Sequence, residues 1–311
     1  AGVVRTAPLW CGHSSFQMSD HSHGGKAEPK FSLGLFLLVN ALSFAGLCGL
    51  VALLAPAVWS AQLAAGWLAV LGVFLGVHLA AAFVEFFFHR YVLHAPLIPF
   101  LAYFYKQHTL HHALTRIGYQ KGRQAGEAMP HLVENVYPIT EEKQYEASYF
   151  PWYSLIVFTG VAALVLVPLQ FLFPAAPILL GGMIAVLWSL VLYETIHAIE
   201  HLPQEVWDRL VARPRTGRFW RKAYAFHLRH HADIRCNEAI SGFFALPLVD
   251  FLFGTYVDPN TLYRHGQGAP PEEFVSPRPR FGFLRWLDRR ADQSVALRRQ
   301  RRAAARAEFG L

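Results

Sequence analysis

The sequence predicts an all-α integral membrane protein: about four transmembrane helices in two hairpins, with a cytosolic helical cap carrying a histidine-rich dimetal site. Three observations lead there. The 311 residues are 54% hydrophobic and only 16% charged, where an ordinary soluble domain carries about 25% charged residues. No Lys or Arg occurs between Lys30 and Arg90, nor between Lys143 and Arg209. The chain also holds sixteen histidines, many for its length, and most fall in short clusters.

Residues 33–55 and 66–88 are the first two apolar stretches, and 152–173 and 176–196 the next two. Each is long enough to cross about 30 Å of hydrocarbon as a helix. The connectors, Ala55 to Gln62 and Phe173 to Pro177, carry no charge. The positive-inside rule then puts Lys26, Lys30, the segment 89–150 and the C-terminal region on the cytosolic side. From His201 onward that region has nineteen Arg and Lys against eleven Asp and Glu. Ala95–Tyr105 is too short to cross, and Ile240–Tyr256 is interrupted by Pro247 and Asp250. Both read as interfacial or partly buried pieces docking the cap onto the membrane.

Three regions follow: a polar N-terminal tail (1–30), a membrane-embedded domain with its histidine cap (31–260) and a basic C-terminal tail (261–311). In the last, F-G-F-L-R-W-L-D-R-R followed by R-R-Q-R-R has the pattern of an amphipathic basic helix, solvated or interfacial. Residues 1–30 lack the positive-then-apolar order of a signal peptide. Met18 opens M-S-D-H-S-H-G-G as a start, so residues 1–17 carry no functional weight. Cys11, Cys48 and Cys236 are too few and scattered for a disulfide framework or a cysteine zinc site. No internal repeat or separate soluble domain is visible.

Ten histidines form four clusters. H-R-Y-V-L-H contributes His89 and His94, and H-T-L-H-H contributes His108, His111 and His112. H-A-I-E-H supplies His197 and His201, and H-L-R-H-H supplies His227, His230 and His231. On a helix, positions i, i+3 and i+4 lie within about 100° of arc, so H-x-x-H-H presents three imidazoles to one side. His89 and His94, at i and i+5, spread over about 140°. Either the helix ends there or the two serve different metals. Ten imidazoles exceed what one ion accepts, and two ions with four or five nitrogens each is the natural arithmetic. The paired Glu-x-x-His pattern of a carboxylate-bridged di-iron bundle is missing. The lone His78, His131 and His265 default to structural roles.

Ligating histidines commonly give their other N–H to a carboxylate, which makes Glu85, Glu194 and Asp233 candidate partners. Glu85 lies one turn before His89, Glu194 three residues before His197, and Asp233 two after His231. A carboxylate at a span end is costly unless it faces inward. His78 shares the face of Glu85 and either lines a substrate channel or is packed and hydrogen-bonded. A non-enzymatic membrane metal-binding or transport protein is the competing class. A transporter places ionisable groups at the bilayer midplane, whereas these spans are nearly free of them between their ends.

The four clusters, in this order across four spans, resemble the fatty acid hydroxylase / sterol desaturase superfamily, whose members are membrane-bound di-iron oxygenases. Cys236-Asn237 and L-P-L-V-D-F-L-F-G-T-Y (Leu246 to Tyr256) are similar to that family's Asn-containing stretch and its Asp-x-x-Phe-Gly-Thr ending. The resemblance covers roughly residues 70–260. It implies a non-haem di-iron centre that uses O2 to hydroxylate or desaturate a lipid, with the ten clustered histidines as metal ligands, no further catalytic residue, and Asn237 beside them. An isolated sample can carry zinc or another divalent ion in place of iron. The four-residue gap between His89 and His94 is closer to the fatty-acid and carotenoid hydroxylase branches than to sterol-acting members, so hydroxylation of a fatty-acyl or similar lipid leads over desaturation and over sterol or carotenoid oxidation. Some members of that family carry a fused haem donor domain, and no such domain is read in these 311 residues. The implied partners are the lipid substrate, the membrane and an external ferredoxin- or cytochrome-type electron donor, with no nucleic acid. The implied location is a bacterial inner membrane or the endoplasmic reticulum.

Overall fold

The computed structural model describes residues 32–120, 131–139 and 148–309; the N-terminal tail assigned to 1–30 lies outside them. Four helices are long and apolar enough to cross a membrane. They are α1 (Leu33–Leu54), α3 (Trp67–Phe88, continued to Leu93 by a π-helical turn), α5 (Ser154–Leu172) and α6 (Ile178–Glu200). Their outer surfaces stay apolar, with Leu53, Leu164 and Phe171 all more than three-quarters exposed. Water would penalise such a surface, and hydrocarbon does not.

A short helix, α2 (Pro56–Ala64), joins the first two spans. In space α3 packs on α6, α6 on α5, and α1 on both α5 and α6. Small residues allow the closest approaches. A Cβ on Gly181 would stand 2.7 Å from that of Val73, and one on Gly182 would stand 2.6 Å from Leu166 Cδ1. At the end away from the histidines, Pro177 offers α6 no side-chain cap. Two buried glutamines do that instead. Gln62 Nε2 donates to Gln170 Oε1 (2.9 Å), and the two side-chain oxygens accept the N–H groups of Leu180 (3.1 Å) and Leu179 (3.2 Å). Lipid supplies no other partner for those first-turn donors.

The cap is built from α4 (Ala102–Leu114), α7 (Gln204–Val211), α8 (Gly217–Ala232) and the short α9 (Leu248–Phe253). It is not wholly helical. Strands β1 (Ile117–Gln120), β2 (His131–Asn135) and β3 (Gly268–Ala269) form an antiparallel sheet in the order β1-β2-β3, with Tyr119 opposite Val133 and Leu132 opposite Gly268. The all-α expectation is corrected here. The strands are too short to show a period of two, and β3 lies far along the chain. Ile117 and Val133 pack with Tyr137, Trp207, Tyr224, Leu228 and Tyr263 in the core of the cap. The segment Ala95–Tyr105 becomes a 3-10 turn leading into α4. Residues 282–309 form one long helix, α10, whose first half is packed: Leu284 and Ala291 are fully buried in a core with Phe86, Tyr91 and Phe253.

Candidate metal centre

The helix carrying His89 does not end there, and it does not continue as an α-helix. Residues His89–Leu93 form a π-helical turn, closed by the His94 N–H on the His89 carbonyl at 3.0 Å. A π turn takes up one extra residue, so i and i+5 come to one face. The two rings stack at 4.9 Å between centroids. The expectation that these two could hardly share a metal on an undistorted helix is met by distorting the helix.

The described residues contain two groups of histidine nitrogens. His89, His94, His108, His112 and His230 make one, and His111, His201, His227 and His231 make the other; within each, the ligand atoms lie within 4.8 Å of one another. His197, the tenth clustered histidine, stands against the second group, with ring centroids 5.0 Å from His111, 4.8 Å from His201 and 5.1 Å from His227. Each H-x-x-H-H motif is therefore divided. Positions i and i+4 of α4 serve the first group and i+3 the second; on α8, i and i+4 serve the second and i+3 the first. The first group thus takes a pair from a span end, two rings from α4 and one from α8; the second takes His201, with His197 beside it, two rings from α8 and one from α4. The groups adjoin, with His112 stacked on His231 at 4.2 Å.

Hydrogen bonds fix which ring nitrogen faces inward. His89 Nδ1–H donates to the Glu238 carbonyl (2.6 Å), His230 Nδ1–H to the Cys236 carbonyl (2.9 Å) and His231 Nδ1–H to the Thr115 carbonyl (2.6 Å). A carbonyl can only accept, so in the neutral ring Nε2 keeps its lone pair. In the first group the Nε2 atoms stand 3.0 Å (His89 to His108), 3.1 Å (His94 to His230) and 3.2 Å (His108 to both His94 and His112) apart. Nitrogens held about 2.0–2.1 Å from a common ion would be about 3.0–3.4 Å apart. In the second group His227 Nε2 is 3.1 Å from His201 Nε2 and 3.2 Å from His231 Nε2. Among the described residues, buried His111 Nε2 has no hydrogen-bond partner, and at most one His197 nitrogen has one, to the Ser148 backbone. Converging lone pairs and orphaned buried nitrogens are costly alone and suit two cations.

Burial keeps these rings neutral. Loss of solvent first, and the neighbouring imidazoles second, hold His94, His108, His112, His201 and His227 far below the usual histidine range. Loss of solvent pushes His231 down to about 3. The unfolded chain therefore binds more protons than the folded one between about pH 3 and the ordinary histidine value near 6.5. Stability present above pH 6.5 is lost as pH falls through that window, and protons compete with metal for the same nitrogens. Metal content measured after dialysis is expected to hold from about pH 8 to 6, where the folded rings stay neutral, and to be lost at lower pH together with the fold.

The carboxylates predicted beside the ligands have other partners. Glu85 does face inward, but it accepts the Ser241 N–H (2.7 Å), the Ser241 hydroxyl (2.5 Å) and the Gly242 N–H (3.1 Å). It secures a loop in which Gly242, Phe244 and Ala245 all have positive φ. Glu194 accepts the Phe150 N–H (3.1 Å). Asp233 accepts from the Arg235 N–H and the Ser276 hydroxyl. Asn237, at φ 54, ties the end of α8 to Val257, giving to its carbonyl and accepting from its N–H. His78 is fully buried, with Nδ1 2.9 Å from Ser189 Oγ and Nε2 accepting the Phe244 N–H at 3.2 Å; it is packed and hydrogen-bonded.

The groups that do touch the ligands include Ser148, whose Oγ is 2.7 Å from His111 Nδ1, and Glu200, whose carboxylate is 3.5 Å from His227 Nδ1. Tyr137 stacks on His201 at 4.5 Å and donates its hydroxyl to the Glu200 carbonyl at 2.8 Å. Glu200 stands inside H-A-I-E-H and was open to sequence reasoning. The carbonyls of Thr115, Cys236 and Glu238 were not, because any residue supplies one.

No protein-family model, curated protein or solved structure matches this chain.

Behind the first group sits a buried charge network. Arg90, 1% exposed, donates to Glu238 Oε1 (2.8 Å), to both carboxylate oxygens of Asp288 on α10 (2.9 Å each) and to the Arg235 carbonyl (2.8 Å). Glu238, whose carbonyl orients His89, is thus held by the residue next to His89. The last helix is pinned to the first histidine group through Asp288 and Arg90.

Proposed function

We propose that this chain is a membrane-bound oxygenase of the fatty acid hydroxylase / sterol desaturase type, hydroxylating a membrane lipid at a histidine-liganded di-iron centre. The observation that carries the reading is the pair of adjoining, buried, all-nitrogen groups at the ends of two apolar spans. A structural zinc site needs four ligands and one ion. Ten imidazoles around two adjoining positions suit a redox-active pair, and such a pair, when bound, supplies O2 activation. Hydroxylation of a C–H bond by O2 takes up two electrons and two protons and releases one water.

The chain's own part is binding and exclusion. The carbonyl-bound Nδ1–H groups of His89, His230 and His231 hold those imidazoles in one tautomer and one orientation, and burial keeps them neutral. Burial of the ligands keeps bulk water away from the reacting carbon. Because the ligands stand at span ends, the oxidised carbon lies near headgroup level rather than mid-bilayer. The distribution of basic residues favours the cytosolic side for the cap, and the two uncharged connectors favour the opposite side.

The deciding experiment is lipid mass spectrometry of cells with and without the protein, alongside metal analysis of the purified chain. A lipid gaining one oxygen only when the protein and O2 are both present is expected, with about two iron ions per chain. Loss of two hydrogens instead would assign a desaturase. A metal-loaded protein that alters no lipid under O2 would end the oxygenase reading.

A further inference from the structure

One face of the cap carries two features that the metal ligands do not use. The first is a continuous run of aromatic rings. Tyr137 stacks on His201 at 4.5 Å and stands 6.3 Å from Tyr224. Tyr224 lies flat on Trp207 at 4.6 Å and 7°, and Trp207 is 6.4 Å from Trp220. Trp220 meets Phe219 at 4.9 Å, and Phe219 is 64% exposed. The rings lead without a gap from a ligand of the second group to the surface.

The second feature is charge at the outer end of that run. Around the corner between α7 and α8, Arg209, Arg213, Arg215 and Arg218 are exposed, with Phe219 among them. Among the described residues, nearby acids are largely engaged: Asp208 pairs with Arg264, and Asp258 with Lys222 at 2.8 Å. Glu205 is the exposed acid left on this stretch. Core packing alone explains Trp207 and Tyr224. It does not explain why the rings surface among exposed arginines that have no carboxylate partner among the described residues.

We infer that the corner from Arg209 to Lys222 is the docking face for an acidic one-electron-donor protein, with the ring ladder as the electron path to the metals. The inference rests on the oxygenase reading above. Opposite charge raises the encounter rate and orients the partner. An exposed aromatic flanked by arginines has the composition of an interface anchor. In each docking one electron leaves the donor's cofactor and is accepted at the histidine-bound metals. The donor is oxidised by one electron, no bond forms or breaks, and no proton travels with it. The rings act as a packed tunnelling medium and are themselves unchanged. Two dockings supply the electrons one hydroxylation consumes. The other basic surface, toward the end of α10, lacks this connection: Arg298 covers Tyr105, and among the described residues no further ring continues from there.

The test measures binding of two probes, a soluble acidic [2Fe–2S] ferredoxin and a soluble acidic cytochrome domain, to the full iron-loaded chain in zwitterionic nanodiscs across a salt series. At low salt the native chain is expected to hold at least one probe. The Arg213→Glu/Arg215→Glu/Arg218→Glu chain should bind it about tenfold more weakly, with unchanged metal content, and an Arg298→Glu/Arg301→Glu/Arg302→Glu chain should bind as the native does. A Trp220→Leu chain should bind normally, yet its metals should be reduced severalfold more slowly by the bound probe while dithionite reduces them at the native rate. Equal binding by native and corner variants, or no binding of either probe by the native chain, overturns the docking face; an unslowed Trp220→Leu chain overturns the path. Loss of affinity for anionic vesicles instead of the probes assigns the corner to the membrane surface and also overturns it. Failure of the oxygenase reading would show separately, as a dithionite-reduced native chain that oxidises no lipid.

Discussion

A His230→Ala protein is expected to retain about one metal ion where the native chain holds about two, and to lose lipid oxidation. His230 belongs with His89, His94, His108 and His112, so its removal opens that group and leaves the other closed. A His111→Ala protein is expected to do the reverse. His111 and His112 adjoin in sequence, yet their alanine variants should empty different positions. Replacing a group that merely orients a ligand typically costs 10–100-fold in metal affinity or activity, and removing the ligand itself costs more. Metal analysis of both variants with a product assay checks the expectation. Native metal content and full activity in both would falsify the dimetal assignment.

The second large effect is expected at Arg90. Its guanidinium is the hydrogen-bond partner of Glu238 Oε1, and Glu238 is fully buried. Arg90→Ala leaves that carboxylate buried without a counter-charge, and breaking a buried pair from one side costs about 3–5 kcal/mol. The Tm in detergent should drop clearly, and metal should be lost first from the group containing His89, because the Glu238 carbonyl sets that ring's orientation. Arg290→Ala, an exposed position on α10, should stay within about 0.5 kcal/mol of native. The double change Arg90→Met with Glu238→Leu should recover part of the Tm, since it removes the stranded Glu238 charge while Asp288 keeps Arg235 at 3.2 Å. A single Arg90→Ala chain melting with the native protein would show that the network contributes nothing to the fold.

Much of the scaffold was legible because lipid imposes a coarse, local demand. A span must be long, apolar and helical, so the stretch 33–55 appears as Leu33–Leu54 and 66–88 as Trp67–Phe88. The fourth span runs further than its apolar run, to Glu200, because H-A-I-E-H continues the helix while facing the protein rather than lipid. The small sheet was not legible. Its edge strand lies more than a hundred residues from its partner, and neither has a readable alternation.

For the candidate metal centre, the sequence alone pointed to imidazole nitrogens, ten candidate histidines and two positions, because imidazole chemistry and helical spacing are local properties. Tertiary structure decided their division. Successive helical positions differ by about 100°, so each H-x-x-H-H turns one ring to the neighbouring group, and which ring depends on how α4 and α8 face each other. It also decided that His89 and His94 act together, through a π turn that no residue type announces. Finally it decided what orients the rings. Three of those partners are backbone carbonyls, with Ser148 and Glu200 beside them, and Arg90, which holds Glu238, meets Asp288 198 residues away in sequence. Carbonyls are common to every residue and long-range contacts leave no periodicity, so only the folded chain could reveal them.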